Sequence, residues 1–576
     1  MSAFDPLRTY NYVLAYDTPE GMGLHMPIIN QLRHWRKFAG EVTPRTNVPI
    51  GILALSITTL CLATFVTGRG NIFWDPGSIS WWSLLFGMST AGLIWTFAYW
   101  PAIGQKSEKG LAKLTVPLLG SFLVSLIISR FVIEGFLHSS DEYAYMFQAQ
   151  TFLAGRLWNS PPPLGTAMTT LYTWIIGDKW VGQYPPGWPS IITFGLALGL
   201  PRLLIVPLLA LCTALLMNAL LRSKVERAVR IPVVIFMSLT PFTLFNSASL
   251  YSHVASSFLV VCTAFACERC LKSGSLRWAF LIGASIGSLA SIRYIAAVII
   301  ILPVGIALLK SPHRVRLCFT AILGGLPFLV LLLYYHWAIT GDPLKPVYYG
   351  AGRTSDRLYF DIQSILEGLR QTGIRFWELS LWTSPAFTVA WVIALVVKVR
   401  ANVLEVGDFI FPAAVLILVF YPIFGGGFGP RYYYEFWPMA CYTVATSINY
   451  IIDESLRRAT ARMVTLSMVY ALAVLPWLSR DFSAITSTRR DLFDQVAEKR
   501  LDHAIVCVQS STGNLLPLRI YDLTRNGING NGPVLYVDCN KTNLESISRA
   551  YPTRKIWVYE RDIAERRGTL APLRTR

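Results

Sequence analysis

The sequence predicts an α-helical polytopic membrane protein of about thirteen transmembrane helices, with a small C-terminal extracytoplasmic α/β domain. Three observations predict it. Of 576 residues, 53% are hydrophobic and only 15% are Asp, Glu, Lys or Arg, where a soluble domain carries about 25% charge. The apolar residues gather into runs close to the ~20 that a spanning helix needs. The positive charges fall on every second short loop. The composition excludes a soluble enzyme, and the 13% aromatic content excludes disorder. The net charge of +18 reads as cytoplasmic loops against anionic lipid and not as nucleic-acid binding.

In chain order, residues 1–47 are a polar cytoplasmic arm without the shape of a signal peptide. Two additional spans occupy 48–110, with apolar runs at 48–67 and 80–100. A core over 111–478 carries runs at 111–137, 201–221, 231–250, 253–271, 278–292, 295–309, 317–339, 381–398, 409–425, 433–452 and 463–478. The runs 278–292 and 295–309 are short for spans and read as bent, or as meeting below the surface. Lys106, Lys109, Arg222, Arg227, Lys310, Arg314, Lys398, Arg400, Arg457 and Arg458 all lie on one set of short loops. The alternate set holds little beyond Arg69, Arg293 and Arg431. The first set is therefore cytoplasmic, the N-terminus inside and the C-terminus outside.

One run, 188–200, sits between Pro186-Gly187 and Pro201 and is too short to span, so it reads as an interfacial or re-entrant helix. The long outer segments are then 138–200, 340–379 and the tail 479–576. The tail has strand-like runs at 504–508, 534–537 and 556–559, Asn-Gly turns, and a capping box from Thr542 to Glu545 opening a helix that ends near Tyr551. That pattern predicts a small α/β unit for packing or acceptor docking. Cys507 and Cys539 lie in it and suit a disulfide in an oxidising compartment. The other cysteines lie in or beside apolar runs, and Cys267-x-x-Cys270 has no second pair to complete a zinc site.

Asp141 and Glu142 follow the third span and open an amphipathic helix that ends at Gly155. Adjacent carboxylates there suit a general base or a divalent cation. The same spacing, Ser139-x-x-Glu142, is also a capping box, which Glu142 alone closes. The segment Gly425-Gly-Gly-Phe-Gly-Pro-Arg-Tyr-Tyr-Tyr-Glu435 pairs a glycine-rich turn with Arg431, against the orientation bias. A guanidinium fork there matches phosphate oxygens, or snorkels to headgroups. Arg293, between two short apolar runs, faces a cavity or anchors at the interface. Arg130 and Glu134, four residues apart in the third span, are expected to pair. His253 ends an outer loop and is structural or site-lining. Residues 182–189 suit a rigid aromatic platform for a sugar or acceptor, or equally an anchor of the outer loop at the headgroups, with Lys179 ahead of them to reach a phosphate.

Taken together, Asp141-Glu142-Tyr143, Tyr184-Pro-Pro-Gly187, Arg293 and Gly429-Pro-Arg-Tyr-Tyr433 resemble the GT-C superfamily of polytopic glycosyltransferases. The likeness is to bacterial relatives of the dolichyl-phosphate-mannose protein mannosyltransferases and the lipid A aminoarabinose transferases, over roughly 111–478. The two helices before the core and the outer tail depart from that pattern. The resemblance implies a polyprenyl-phosphate sugar donor, transfer to an acceptor hydroxyl on the outer face, and inversion at the anomeric carbon. It implies Asp141 as base with Glu142 orienting the acceptor or holding a metal, and Arg293, Arg431 and Lys179 on the donor phosphate. Tyr143, Tyr184, His253, Tyr432 and Tyr433 are the expected substrate contacts. The acceptor is a glycolipid, polysaccharide or protein, the membrane bacterial and cytoplasmic. No cofactor is expected beyond that optional divalent cation. A lipid-linked sugar flippase, or a glycan polymerase or ligase using a lipid-linked oligosaccharide, are the alternatives.

Overall fold

A computed structural model describes residues 112–350, 360–421, 430–451, 454–510, 523–561 and 567–573. The arm 1–47, the runs 48–67 and 80–100, and the glycine turn 425–429 lie outside the described residues. Each remaining apolar run falls on a helix. These are α1 (Ala112–Ile127, extended by a π-turn at Ile128–Val132), α2 (Ser140–Leu153), α3 (Gly187–Ala197), α4 (Arg202–Leu221), α5 (Arg227–Leu239), α6 (Pro241–Ala248), α7 (His253–Ser273), α8 (Leu276–Ala290), α9 (Tyr294–Leu309) and α10 (Arg314–Thr340). They continue as α11 (Ile362–Trp382), α12 (Pro385–Arg400), α13 (Val406–Val419), a 3-10 segment Arg431–Phe436, α14 (Trp437–Ser447) and α15 (Glu454–Glu498).

Among the described residues, four helices are individually long and apolar enough to cross a membrane, Leu114–Val132, α4, α7 and α10. Two bent pairs raise this to as many as six: α5 with α6, at 51°, and α11 with α12, at 116°. Proline causes both breaks. Pro241 and Pro385 each open the second helix of a pair, where a missing N–H costs least. The helices α8 and α9 stop and restart around 291–293, as their short runs predicted. The structure places α7 at the centre, 61% of its apolar window buried, and α10 at the edge, 17% buried.

The edge helix is held by backbone contact. A Cβ on Gly324 of α10 would lie 2.1 Å from the Phe280 carbonyl oxygen, and one on Gly283 of α8 would lie 1.7 Å from that of Ala321. Small residues let two helices meet where lipid supplies no hydrophobic drive between them. Helix α11 buries Gln371 and Arg375 with Leu379, Leu381 and Trp382, and exposes Ile362, Leu366 and Leu369 beside the Arg370–Glu367 pair.

Three sequence expectations are corrected. Arg130 and Glu134 do not pair: the π-turn ends the helix at Val132, Glu134 takes φ 56°, and its carboxylate bonds Arg490 of α15. The tail does not start at 479, because α15 runs unbroken to Glu498 and buries Phe482, Leu492 and Val496. Polar residues on the other faces of α15 end the hydropathy signal without ending the helix. The tail helix α16 (Leu544–Ala550) is capped by Asn543, not Thr542, through a bond from Ser546 N at 2.8 Å.

Ahead of the tail, the 138–200 loop itself contains a hairpin of β1 (Thr173–Ile176) and β2 (Lys179–Gly182). The tail strands β3 (Ala504–Ser510), β4 (Val534–Asp538), β5 (Lys555–Arg561) and β6 (Thr569–Pro572) form a sheet ordered β4-β3-β5-β6. The first three strands are parallel, and Cys507 is bonded to Cys539. Alternation sends Val506, Val508 and Tyr536 towards Leu492 and Val496 of α15. The opposite face, Ile505, Leu535 and Val537, packs on Ala167 and Met168 of the 138–200 loop. The sheet is thus sandwiched between helix and loop.

A Gly324→Val variant places a branched side chain against a carbonyl that cannot retreat. It is expected to cost roughly 1–3 kcal/mol, read as a lower melting temperature in detergent. An unchanged melting temperature would mean that α8 and α10 are not in backbone contact.

Candidate active site

The site is assembled from breaks in the helical pattern. The first is the start of α2. Ser139 caps it, accepting from Glu142 N at 3.2 Å, and Glu142 Oε2 accepts in return from Ser139 N at 3.0 Å. The same oxygen meets His138 Nδ1 at 2.9 Å, and Oε1 accepts from Leu250 N at 2.6 Å. Burial alone would raise the pKa of Glu142. The His138 charge and hydrogen bond, with the bonds from Leu250 and Ser139, outweigh it and leave the pKa below its ordinary value.

The segment leading into α2 is clamped by four guanidinium groups. Arg202 donates to the Gly135 carbonyl, Arg525 to Leu137 O at 2.6 Å and Arg489 to the His138 carbonyl, while Arg490 pairs with Glu134. These carbonyls follow the end of a helix and have no ladder of their own.

With α2 so held, Asp141 reaches the opening. Its Oδ1 accepts from the Tyr184 hydroxyl, and its Oδ2 lies 3.5 Å from Arg431 Nη1. Tyr184 is supplied by the link between β2 and α3. Burial first, and then the Asp141 charge, raise its pKa well above the ordinary value, so it stays a donor. Arg431 opens the 3-10 segment, its guanidinium 5.0 Å from the Tyr251 ring centroid and 5.4 Å from that of Tyr432.

Arg293 caps α9 in an extended conformation. Its Nε pairs with Glu435, its Nη1 lies 3.4 Å from Ser252 Oγ, and its guanidinium is 5.0 Å from the Tyr432 ring centroid. Ser252 Oγ lies 3.1 Å from the Tyr145 hydroxyl, and His253 Nδ1 meets Glu435 Oε1 at 3.0 Å. The break that presents Arg293 is fixed by Gly187. That glycine donates to Ser291 O at 2.7 Å, and a Cβ there would stand 2.6 Å from the same oxygen.

The structure therefore brings together Asp141, Tyr184, Arg293, Arg431, Tyr432 and His253. The side chains of Asp141, Arg293 and Arg431 are 18%, 15% and 15% exposed, whereas those of Glu142, Glu435 and His253 are at most 3% exposed. The first three can meet a ligand.

Five expectations change. Both oxygens of Glu142 are bonded inside the protein, so it supports Asp141 and is not offered to substrate or metal. His253 is sealed behind Glu435. The Tyr143 hydroxyl bonds the Asn526 carbonyl of the tail, because a residue two further along a helix is turned about 200° away from Asp141. Tyr433 is buried against Phe376 and Phe411. Lys179 donates to Ala338 O at 2.8 Å and lies over Trp158, drawn there by the hairpin. The residues missed were Glu435, Ser252, Tyr251 and His138. Glu435 carried a signal, an acid at the edge of an apolar run.

Among the described residues, no group of three or more His, Cys, Asp or Glu side chains is placed to hold a metal ion.

No protein-family model matches the sequence, and no curated protein is similar to it at a significant level. Solved structures are similar in fold. ArnT from Cupriavidus metallidurans, bound to undecaprenyl phosphate, aligns over 78% of this chain and 93% of its own with a TM-score of 0.50, at 12% identity. Its apo state gives 0.49 over 77% and 92%, also at 12% identity. The arabinosyltransferase EmbB from Mycobacterium smegmatis gives 0.40 over 64% and 34%, at 13% identity. The chain shares its fold with the ArnT structure solved on undecaprenyl phosphate.

Glu142→Ala would strand His138 and the Leu250 amide. It is expected to lower stability by about 3 kcal/mol, the order seen when one partner of a buried pair is removed, whereas Asp141→Asn leaves the melting temperature unchanged. Equal melting temperatures for both variants would remove Glu142 from its supporting role.

Proposed function

We propose that this chain is a membrane glycosyltransferase that moves one sugar from a polyprenyl-phosphate donor to an acceptor hydroxyl, with inversion. The observation that carries the proposal is the partly exposed Asp141 carboxylate, held by Tyr184 beside the guanidinium groups of Arg431 and Arg293. The fold, shared with a protein solved on undecaprenyl phosphate, supports that donor class.

Asp141 takes the proton of the acceptor hydroxyl as its oxygen attacks the anomeric carbon. The bond from that carbon to the phosphate oxygen breaks on the opposite face, which inverts the centre. Both electrons of that bond leave with the lipid phosphate, and Arg293 and Arg431 neutralise the charge that grows there. The 3.5 Å contact between Arg431 and Asp141 is loose enough for a phosphate to exchange into it. Arg431 then turns to the donor and leaves the Asp141 carboxylate open to the acceptor proton. Tyr432, beside both guanidinium groups, offers ring surface to the sugar.

We place the site on the outer face of a bacterial cytoplasmic membrane. The charge asymmetry of the short loops supports this, as does the Cys507–Cys539 bond, which suits an oxidising compartment. The acceptor is a glycolipid, polysaccharide or protein hydroxyl.

Asp141→Asn is expected to reduce sugar transfer in nanodiscs by about 10²–10⁴-fold, the usual share of a general base, with donor affinity retained. Full activity would remove Asp141 from the base role. Arg431→Ala is expected to weaken binding of a polyprenyl-phosphate sugar by about tenfold or more, the equivalent of one charge-assisted bond. Unchanged affinity would leave Arg431 as an aromatic-stacked anchor.

A further inference from the structure

We infer that Glu435 is a positioning residue for Arg293, holding that guanidinium in the one orientation that presents it to a phosphate. The inference rests on the reading of Arg293 as a phosphate ligand.

Glu435 sits in the 3-10 segment four residues after Arg431, its side chain 2% exposed. One oxygen, Oε1, is shared by Arg293 Nε and His253 Nδ1. A carboxylate so deeply buried persists only when paired and bonded. Its two partners come from different places, His253 from the first turn of the central helix α7 and Arg293 from the break between α8 and α9. Glu435 thus ties the arginine-bearing break to the most buried of the four single-helix spans described. It grips Arg293 at Nε, at the root of the fork, and Ser252 touches Nη1 while Tyr432 backs the guanidinium plane. A guanidinium recognises phosphate through paired, directional N–H groups. An arginine pivoting about a flexible chain would lose that geometry on ordering.

Positioning and simple electrostatics predict opposite signs. Removing the Glu435 charge raises the local positive potential, so electrostatics alone would tighten anion binding. If orientation decides, losing the bonds weakens it. Glu435→Gln and Glu435→Leu change the charge equally, but Gln keeps an oxygen for Nε and Nδ1. Glu435→Asp keeps the charge and withdraws the oxygens by one methylene.

The test is the equilibrium affinity of the full-length variants in nanodiscs for undecaprenyl phosphate, with melting temperatures measured beside it. The expected result is Gln within about threefold of wild type, and both Asp and Leu at least about tenfold weaker, with the Asp variant melting within a few degrees of wild type. Should the Leu variant fail to fold, the Asp variant alone decides. Wild-type affinity in Glu435→Asp, or tighter binding in Glu435→Leu, overturns the inference. Arg293→Ala, measured alongside, separates the two claims. Unchanged affinity there refutes the phosphate role of Arg293 itself, whereas a weakened Arg293→Ala with an unaffected Glu435→Asp refutes only the positioning by Glu435.

Discussion

The buried carboxylate of Glu142 is the interaction on which the rest of the site depends. It closes the N-terminal cap of α2, takes the Leu250 amide from the loop before α7, and meets His138. One charged group therefore fixes where α2 begins, at what angle it leaves the bundle, and how near it lies to the 250–252 loop. Asp141 precedes it by one residue, a rotation of about 100° on a helix. That rotation turns Asp141 out of the seal and into the opening. Two adjacent acids thus come to have unlike surroundings, Glu142 sealed inside the protein and Asp141 partly open.

The same economy explains the cations. Arginines crowd the site end of the bundle. Arg202, Arg489, Arg490 and Arg525 have a structural reason to be there, since they bond the carbonyls and the carboxylate of residues 134–138. Arg293 and Arg431 do not serve that segment. They are stacked on tyrosines, paired with acids and still partly open. The long helix α15 and the tail sheet thus act as a brace behind α2. Arg489 and Arg490 come from the helix and Arg525 from the tail, and Tyr143 bonds back to the tail at Asn526.

Much of this was legible in the sequence wherever a local rule decided the outcome. The capping box at Ser139–Glu142, the short helix after Pro186, the break between the runs at 278–292 and 295–309, and three tail strands all follow from spacing. Several of the misreadings share a cause, namely long-range partners. Nothing near Lys179 in sequence announces Trp158 and Ala338 as its contacts. Glu134 is drawn to Arg490 from a helix more than three hundred residues on. Tyr433 and Tyr432 are neighbours in sequence, yet one is core and the other lines the mouth, because a 3-10 segment rotates about 120° per residue. Glu435 went unassigned since its two partners are brought to it only by the fold. The length of α15 was hidden because hydropathy reports the lipid-matched part of a helix and not its end.

The most direct test of the account is the structure of the protein with undecaprenyl phosphate bound. The account predicts phosphate oxygens within hydrogen-bonding distance of both Arg431 and Arg293, Arg431 turned away from Asp141, and the Asp141 carboxylate open on the side where an acceptor would stand. A phosphate bound elsewhere in the bundle, with the Asp141–Arg431 pair intact, would contradict it.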